Sequence, residues 1–183
     1  GQQNVEIPNV DAGINVLTLL SEQPSKVGYS FGGWYLDSNF ETELTSTYVM
    51  PEDNLDIYVK WNINQYTISF DSGVTSITQN YGTSVTLPTP SKTGYIFGGW
   101  LRNGQPYSVT TMPAEDGISL TAKWDPITYS IVFDSNGGSG TTSSINNVKY
   151  DTKVNLSSNG FERKGYSFLG WSTSKTDTSN LLL

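Results

Sequence analysis

One phrase occurs three times and constrains everything else in the chain. It reads Gly28-Tyr29-Ser30-Phe31-Gly32-Gly33-Trp34, then Gly94-Tyr95-Ile96-Phe97-Gly98-Gly99-Trp100, then Gly165-Tyr166-Ser167-Phe168-Leu169-Gly170-Trp171. The copies begin 66 and 71 residues apart. Self-similarity at such a period means one supersecondary unit copied along the chain, so the 183 residues are read as an array before any single-domain prior applies.

Other pieces recur in register. Pro24-Ser25-Lys26 returns as Pro90-Ser91-Lys92, and Met50-Pro51 returns as Met112-Pro113. Lys60-Trp61 returns as Lys123-Trp124, and Tyr66-Thr67-Ile68-Ser69-Phe70-Asp71 returns as Tyr129-Ser130-Ile131-Val132-Phe133-Asp134. Within these pieces apolar residues alternate: Tyr66, Ile68, Phe70; Tyr129, Ile131, Phe133; Ile57, Val59, Trp61; Leu120, Ala122, Trp124. A period of two is a strand with one buried face. Val85 and Leu87 suggest a further short strand stopped by Pro88. Asn103-Gly104 and Asn136-Gly137-Gly138 read as turns, because Asn and Gly tolerate positive φ. The expected fold is mainly β (small α+β), with any short helix confined to the polar loop after each aromatic phrase.

Three modules follow, at residues 1–62, 63–125 and 126–183. The first lacks a clear opening strand, with Val5 and Ile7 standing in for it. The third lacks a final strand ending in Lys-Trp, so both ends read as cut from a longer chain. Asn62 to Gln65 and Asp125 to Thr128 are the expected linkers, the second stiffened by Pro126. Linkers that short restrict rotation between neighbours, and an elongated rod of about 25–30 Å per module is expected.

A module of this size buries only about 60% of its chain surface, so large rings must supply much of the interior. The expected structural core is Tyr29, Phe31, Trp34, Trp61, Tyr66, Phe70, Tyr95, Phe97, Trp100, Trp124, Tyr129, Phe133, Tyr166, Phe168 and Trp171. Tyr35, Tyr48 and Tyr107 fall outside that register and are the weak candidates for a ligand platform, such as one on which a sugar stacks.

There is no Cys and no His. That removes disulfides, thiolate zinc sites, cysteine nucleophiles and the side chain best matched to proton transfer near neutral pH. A formal charge of −7 with ten basic residues argues against nucleic acid. The acidic residues sit at turns and strand ends, so neither catalytic nor cofactor-binding residues are expected. Asp134 to Gly140 faintly resembles a calcium loop, but no acidic residue follows until Asp151, and a hairpin turn is favoured. No metal or cofactor is expected.

With these residues in view, the chain resembles the Listeria–Bacteroides repeat, the B-repeat of internalin-type bacterial surface proteins. The likeness rests on Tyr66 to Asp71, Tyr81-Gly82, Leu87-Pro88, Gly94 to Trp100, Met112-Pro113 and Ala122-Lys123-Trp124 in that order, and runs from about Gly13 onward. It implies a small β-grasp-like module strung in tandem on exported proteins, placed at the bacterial surface or secreted, with no catalytic role. The favoured role is a stalk or spacer; the alternative is an adhesin that binds a host glycan or host surface protein. A monomer without membrane insertion in this segment is expected, with pairing through exposed strand edges left open.

Overall fold

The structure is a computed structural model and describes residues 6–20, 22–176, 179 and 181–182. It is mainly β. Two compact units are present, residues 1–88 with 101–121, and residues 89–100 with 122–183. The strands are β1 (Tyr29–Tyr35), β2 (Tyr58–Ile63), β3 (Gln65–Phe70), β4 (Ile77–Asn80), β5 (Tyr95–Arg102), β6 (Gln105–Tyr107), β7 (Ile118–Pro126), β8 (Thr128–Ile131), β9 (Ser139–Gly140), β10 (Ile145–Lys149) and β11 (Phe161–Glu162). Each recurring aromatic phrase of the first two copies is a strand, as its alternation requires. The only helical element among the described residues is the 3-10 turn Val16–Leu19, outside the polar loops to which any short helix was assigned. In the first of those loops, the Asp37 carboxylate instead accepts N–H bonds from Asn39, Glu41 and Thr42, which closes a compact turn.

The second copy forms the fullest sheet, in the order β4-β3-β7-β5-β6. β3 and β4 make an antiparallel pair, and β3 runs parallel to β7 with Ile68 opposite Ile118 and Phe70 opposite Leu120. A parallel central pair with the strands that follow and precede it in the chain on its two outer sides is the β-grasp order, here with no helix laid across it among the described residues. Asn103 (φ 51) and Gly104 (φ 77) make the tight turn between β5 and β6. Val85 and Leu87 form no strand; the segment is held by the isolated bridge from Ser84 to Thr111. In the first copy β1 pairs with β2, with a bulge between Phe31 and Trp34 where Gly33 takes φ 114.

The third copy is more open. Its described strands form two small pairs, β8 with β10 and β9 with β11. In place of a final strand it has one bridge, Trp171 with Leu182, made by two backbone bonds of 3.0 and 2.8 Å. Of the residues proposed to replace the first copy's opening strand, Val5 lies outside the described residues and Ile7 is exposed.

The interior differs from the expected ring-built one. The buried apolar residues are Val16, Tyr35, Leu44, Ile68, Val85, Trp100, Met112, Ile118 and Leu120. Seven of these nine are not rings, and Trp100, at 4% exposure, is the one buried tryptophan. Tyr29, Phe31, Trp34, Trp61, Tyr66, Phe70, Tyr95, Phe97, Trp124, Phe133 and Trp171 are half-buried. Several of them pack against one another instead, as Phe31 does with Trp34 and Trp61, and Phe97 with Trp100 and Trp124. Tyr129 (50% exposed), Tyr166 (69%) and Phe168 (51%) depart from the expectation of burial. For Tyr129 the difference lies in the sheet: β3 has the parallel strand β7 beside it, whereas among the described residues β8, its counterpart, is paired with β10 alone.

Candidate functional site

The three phrases build the same local geometry, starting from one turn. Tyr29 N–H bonds to the Lys26 carbonyl at 3.0 Å, Tyr95 N–H to that of Lys92 at 3.1 Å, and Tyr166 N–H to that of Arg163 at 3.0 Å. The third residue of each turn is a glycine in the left-handed region: Gly28 at φ 77, Gly94 at φ 77, Gly165 at φ 82. An L side chain there is disfavoured, which explains the glycine at each of these positions. The turn folds the cation back over the ring. Lys26 Nζ sits 4.0 Å from the Tyr29 centroid, Lys92 Nζ 4.2 Å from Tyr95, and the Arg163 guanidinium 4.2 Å from Tyr166.

Behind this cap the rings stack edge to face. Phe31 meets Trp34 at 5.4 Å and Trp61 at 6.5 Å; Phe97 meets Trp100 at 5.4 Å and Trp124 at 5.6 Å. In the third copy Trp171 gathers Phe133 at 4.3 Å, Phe168 at 5.0 Å and Phe161 at 6.1 Å. Beside the first cluster lies an open groove lined by Pro24, Lys26, Val27, Tyr29, Phe31 and Trp61, among others. The Trp61 Nε1 atom is buried and has no hydrogen-bond partner.

A second feature joins consecutive copies, and it was not read from the sequence. A Cβ added to Gly28 would lie 2.0 Å from the ring of Tyr81, and one added to Gly94 would lie 2.2 Å from the ring of Tyr150. Each tyrosine therefore lies directly against the glycine of the preceding copy, edge-on to the neighbouring ring: Tyr29–Tyr81 at 6.1 Å and Tyr95–Tyr150 at 5.6 Å. One backbone residue clamps each contact. Asn64 N–H donates to the Gly28 carbonyl (3.0 Å) while its own carbonyl accepts from Tyr81 N–H (2.9 Å). Ile127 does the same between Gly94 (2.9 Å) and Tyr150 (2.8 Å). Asn64 is the only residue between β2 and β3, and Ile127 the only one between β7 and β8. The expected four-residue linkers are thus mostly absorbed into strands.

Of the three tyrosines expected on the surface, Tyr35 is buried at 9%. It packs edge-on against Phe40 at 5.5 Å, with Lys60 Nζ 5.0 Å from its ring, and so is no platform. Tyr48 and Tyr107 are half-buried, and Tyr107 carries the Arg102 guanidinium at 5.8 Å. Arg102 in turn pairs with Glu115; that hydrogen bond holds the Glu115 carboxyl below and the Arg102 guanidinium above their usual values. The Asp134 carboxyl is lowered chiefly by the Asn136 N–H and then by Lys175. Asn136 and Gly137 form the expected turn there, with Gly138 N–H closing on Ser135 at 3.0 Å. Among the described residues no group of three or more acidic side chains is placed to hold a metal. No helix among them is long and apolar enough to cross a membrane.

The Listeria-Bacteroides repeat domain model matches residues 1–60, 66–123 and 129–181. The chain belongs to this family. Its relatives include two proteins of Evansella cellulosilytica. One, called "Putative membrane protein", is 32% identical over 180 residues, 91% of this chain and 26% of its own length. The other, "Putative Gly-rich membrane protein", is 34% identical over 166 residues, 81% of this chain and 18% of its own length. Internalin H of Listeria monocytogenes is 35% identical over 96 residues, half of this chain and 18% of its own length. The chain thus spans about a quarter or less of each of these relatives. No solved structure matches it.

Proposed function

We propose that this segment is a non-catalytic spacer in an extracellular bacterial surface protein, built to set one repeat firmly on the next. The observation that carries this reading is the joint. The same ring-on-glycine contact and the same pair of backbone bonds are made at Gly28–Asn64–Tyr81 and at Gly94–Ile127–Tyr150. A chain whose repeats only needed to be present, for instance as independent binding modules, has no reason to reduce its linkers to one residue and then clamp that residue on both sides. The names of the relatives, membrane proteins and an internalin, support a surface setting.

The adhesin reading is favoured by one observation, the open groove beside Lys26, lined by Tyr29, Phe31 and Trp61. The two readings separate on the bacterium. For a spacer, antibody access to a tag fused at the end away from the cell drops when residues 63–125 are deleted, and is unchanged when Tyr48, Tyr107 and Lys26 are replaced by Ser, Ser and Ala. Micromolar binding of the chain to host glycans or host-cell proteins, abolished by Lys26→Ala, would replace the spacer reading with the adhesin one.

A further inference from the structure

The joint has two halves, a socket (the Lys-x-Gly-Tyr turn) and a plug (a tyrosine from the following copy). The third copy carries a socket that no described residue fills. Its turn is closed like the others, with Tyr166 N–H on the Arg163 carbonyl and the guanidinium over the Tyr166 ring. Gly165 keeps the left-handed backbone at φ 82, yet a Cβ added there would meet nothing within 4 Å. At the other two glycines a tyrosine ring fills that space. The apolar residues that follow Gly165 in the chain, Tyr166, Phe168 and Leu169, are exposed, Leu169 at 70%.

We propose that the Gly165–Tyr166 turn is a docking socket for a further repeat of this same family, one that carries tyrosine at the position of Tyr81 and Tyr150. This rests on reading the joint as the connector of the array. The occupant follows from the two filled sockets, each holding a tyrosine ring from the next copy and a backbone clamp from the residue between. A second copy of this chain fits less well, because its first repeat has no plug. Gly13 N–H bonds to the Met50 carbonyl as Gly82 N–H bonds to that of Met112. Ala12 therefore precedes Gly13 where Tyr81 precedes Gly82, and a methyl group cannot cover Tyr166. The third copy's Leu169 stands where Gly32 and Gly98 stand, and Cβ atoms at those glycines would crowd Asn62 (2.8 Å) and Asp125 (2.6 Å) of the closing strand.

The test uses the full chain extended by its own second repeat. Residues 61–125 are appended after Leu183; because Leu182 sits opposite Trp171 as Val59 sits opposite Trp34, Trp61 then continues in register. Nitration of Tyr166 by tetranitromethane, read by mass spectrometry, is compared between this chain and one whose appended copy carries Tyr81→Ala. Both are made with Leu169 and with Leu169→Gly. The expected result is about a two- to tenfold lower Tyr166 reactivity with the plug than without it, the ratio that one aromatic contact of this kind sustains. A protease-resistant extended chain in which Tyr166 reacts equally with and without the plug, in both backgrounds, overturns the proposal. A second variant does not depend on folding of the appended copy. Lys26→Arg with Val27→Lys gives the first socket the Arg163-Lys164 sequence, and Tyr29 should stay as protected as in the parent chain. If Tyr29 becomes as reactive as in a Tyr81→Ala chain, the third copy's sequence is no socket. If Tyr81→Ala in the original joint leaves Tyr29 reactivity unchanged, the connector reading itself fails, which is a separate outcome.

Discussion

Replacing the joint glycines by alanine gives a sharp test of ring-on-glycine docking, because the structure contains its own control. Gly28, Gly94 and Gly165 occupy the same turn at nearly the same φ. Alanine at any of them bears the cost of a Cβ in the left-handed region, about 1–2 kcal/mol. Only at Gly28 and Gly94 does the new methyl also meet a ring, at 2.0 and 2.2 Å. No Cβ contact survives at that separation, so Tyr81 or Tyr150 must leave its seat. Leaving forfeits the aromatic pair, about 0.5–1.5 kcal/mol, together with the burial of one ring face. Gly165→Ala should therefore destabilise by about 1–2 kcal/mol and Gly94→Ala by about 2–4 kcal/mol. Thermal unfolding separates the two, since each kcal/mol moves the midpoint of a small unit by roughly 4–8 °C. Amide exchange locates the effect. The Ile127 and Tyr150 amides, which donate to the Gly94 and Ile127 carbonyls, should exchange faster in Gly94→Ala and at the parent rate in Gly165→Ala. Coupling supplies a third reading: Tyr150→Ala should cost less in the Gly94→Ala background than alone, because the ring has already left. Equal midpoints for Gly94→Ala and Gly165→Ala, with unchanged exchange at Tyr150, would refute the reasoning.

Trp100→Ala should be the costliest of the five tryptophan truncations, about 3–5 kcal/mol by loss of a buried large ring, checked by denaturant unfolding of the five variants side by side. Trp61→Phe keeps the ring contact with Phe31 and removes a buried N–H that has no acceptor; its unfolding midpoint should match or exceed that of the parent. The Asp37 carboxyl is held below its ordinary value chiefly by the Thr42 N–H, with Glu41 and Asn39 adding to it. A lowered folded-state pKa means that its stabilisation is complete above the ordinary aspartate value of about 4 and is lost as pH falls through the lower folded value. The Glu41 and Thr42 amide resonances should move together with a midpoint below that of a free aspartate, and Asp37→Asn should abolish the transition.

The repeat, the strands and the tight turns were legible because each rests on local chemistry. Copied phrases need only be counted, alternation at Tyr66 to Phe70 reports a half-buried strand, and Asn103-Gly104 reports positive φ. The residues at the centre were harder to rank. Val16, Leu44 and Met112 lie in segments with no strong period, Ile118 extends the Leu120–Trp124 alternation by one step, and size alone gave priority to the rings. Yet a large ring in a small module reaches the surface before it is fully covered, so Trp34, Trp61 and Trp124 end half-buried while Ile68 and Leu120 disappear. Tyr35 was misread for the opposite reason: it breaks the register of the phrase but is caught by Phe40 from the Asp37 turn.

The joint was invisible for a deeper reason, and the same reason explains the exposed rings of the third copy. Tyr81 and Tyr150 recur in the sequence, but what each touches belongs to the copy before it, and no hydrophobic period spans that distance. A module read alone assigns Gly28 and Gly94 to turn chemistry, which is correct and accounts for their φ. It does not account for the absence of free space above them, where the next copy's ring sits. Gly165 has the turn without the ring, and there the neighbouring Tyr166 stands in water. Burial of the phrase tyrosine is therefore set by its neighbour along the array more than by its own module. That is the energetic pattern of repeat proteins, in which unit and interface terms add. The position in the array, and not the motif alone, decides whether the same Gly-Tyr pair is interior or surface.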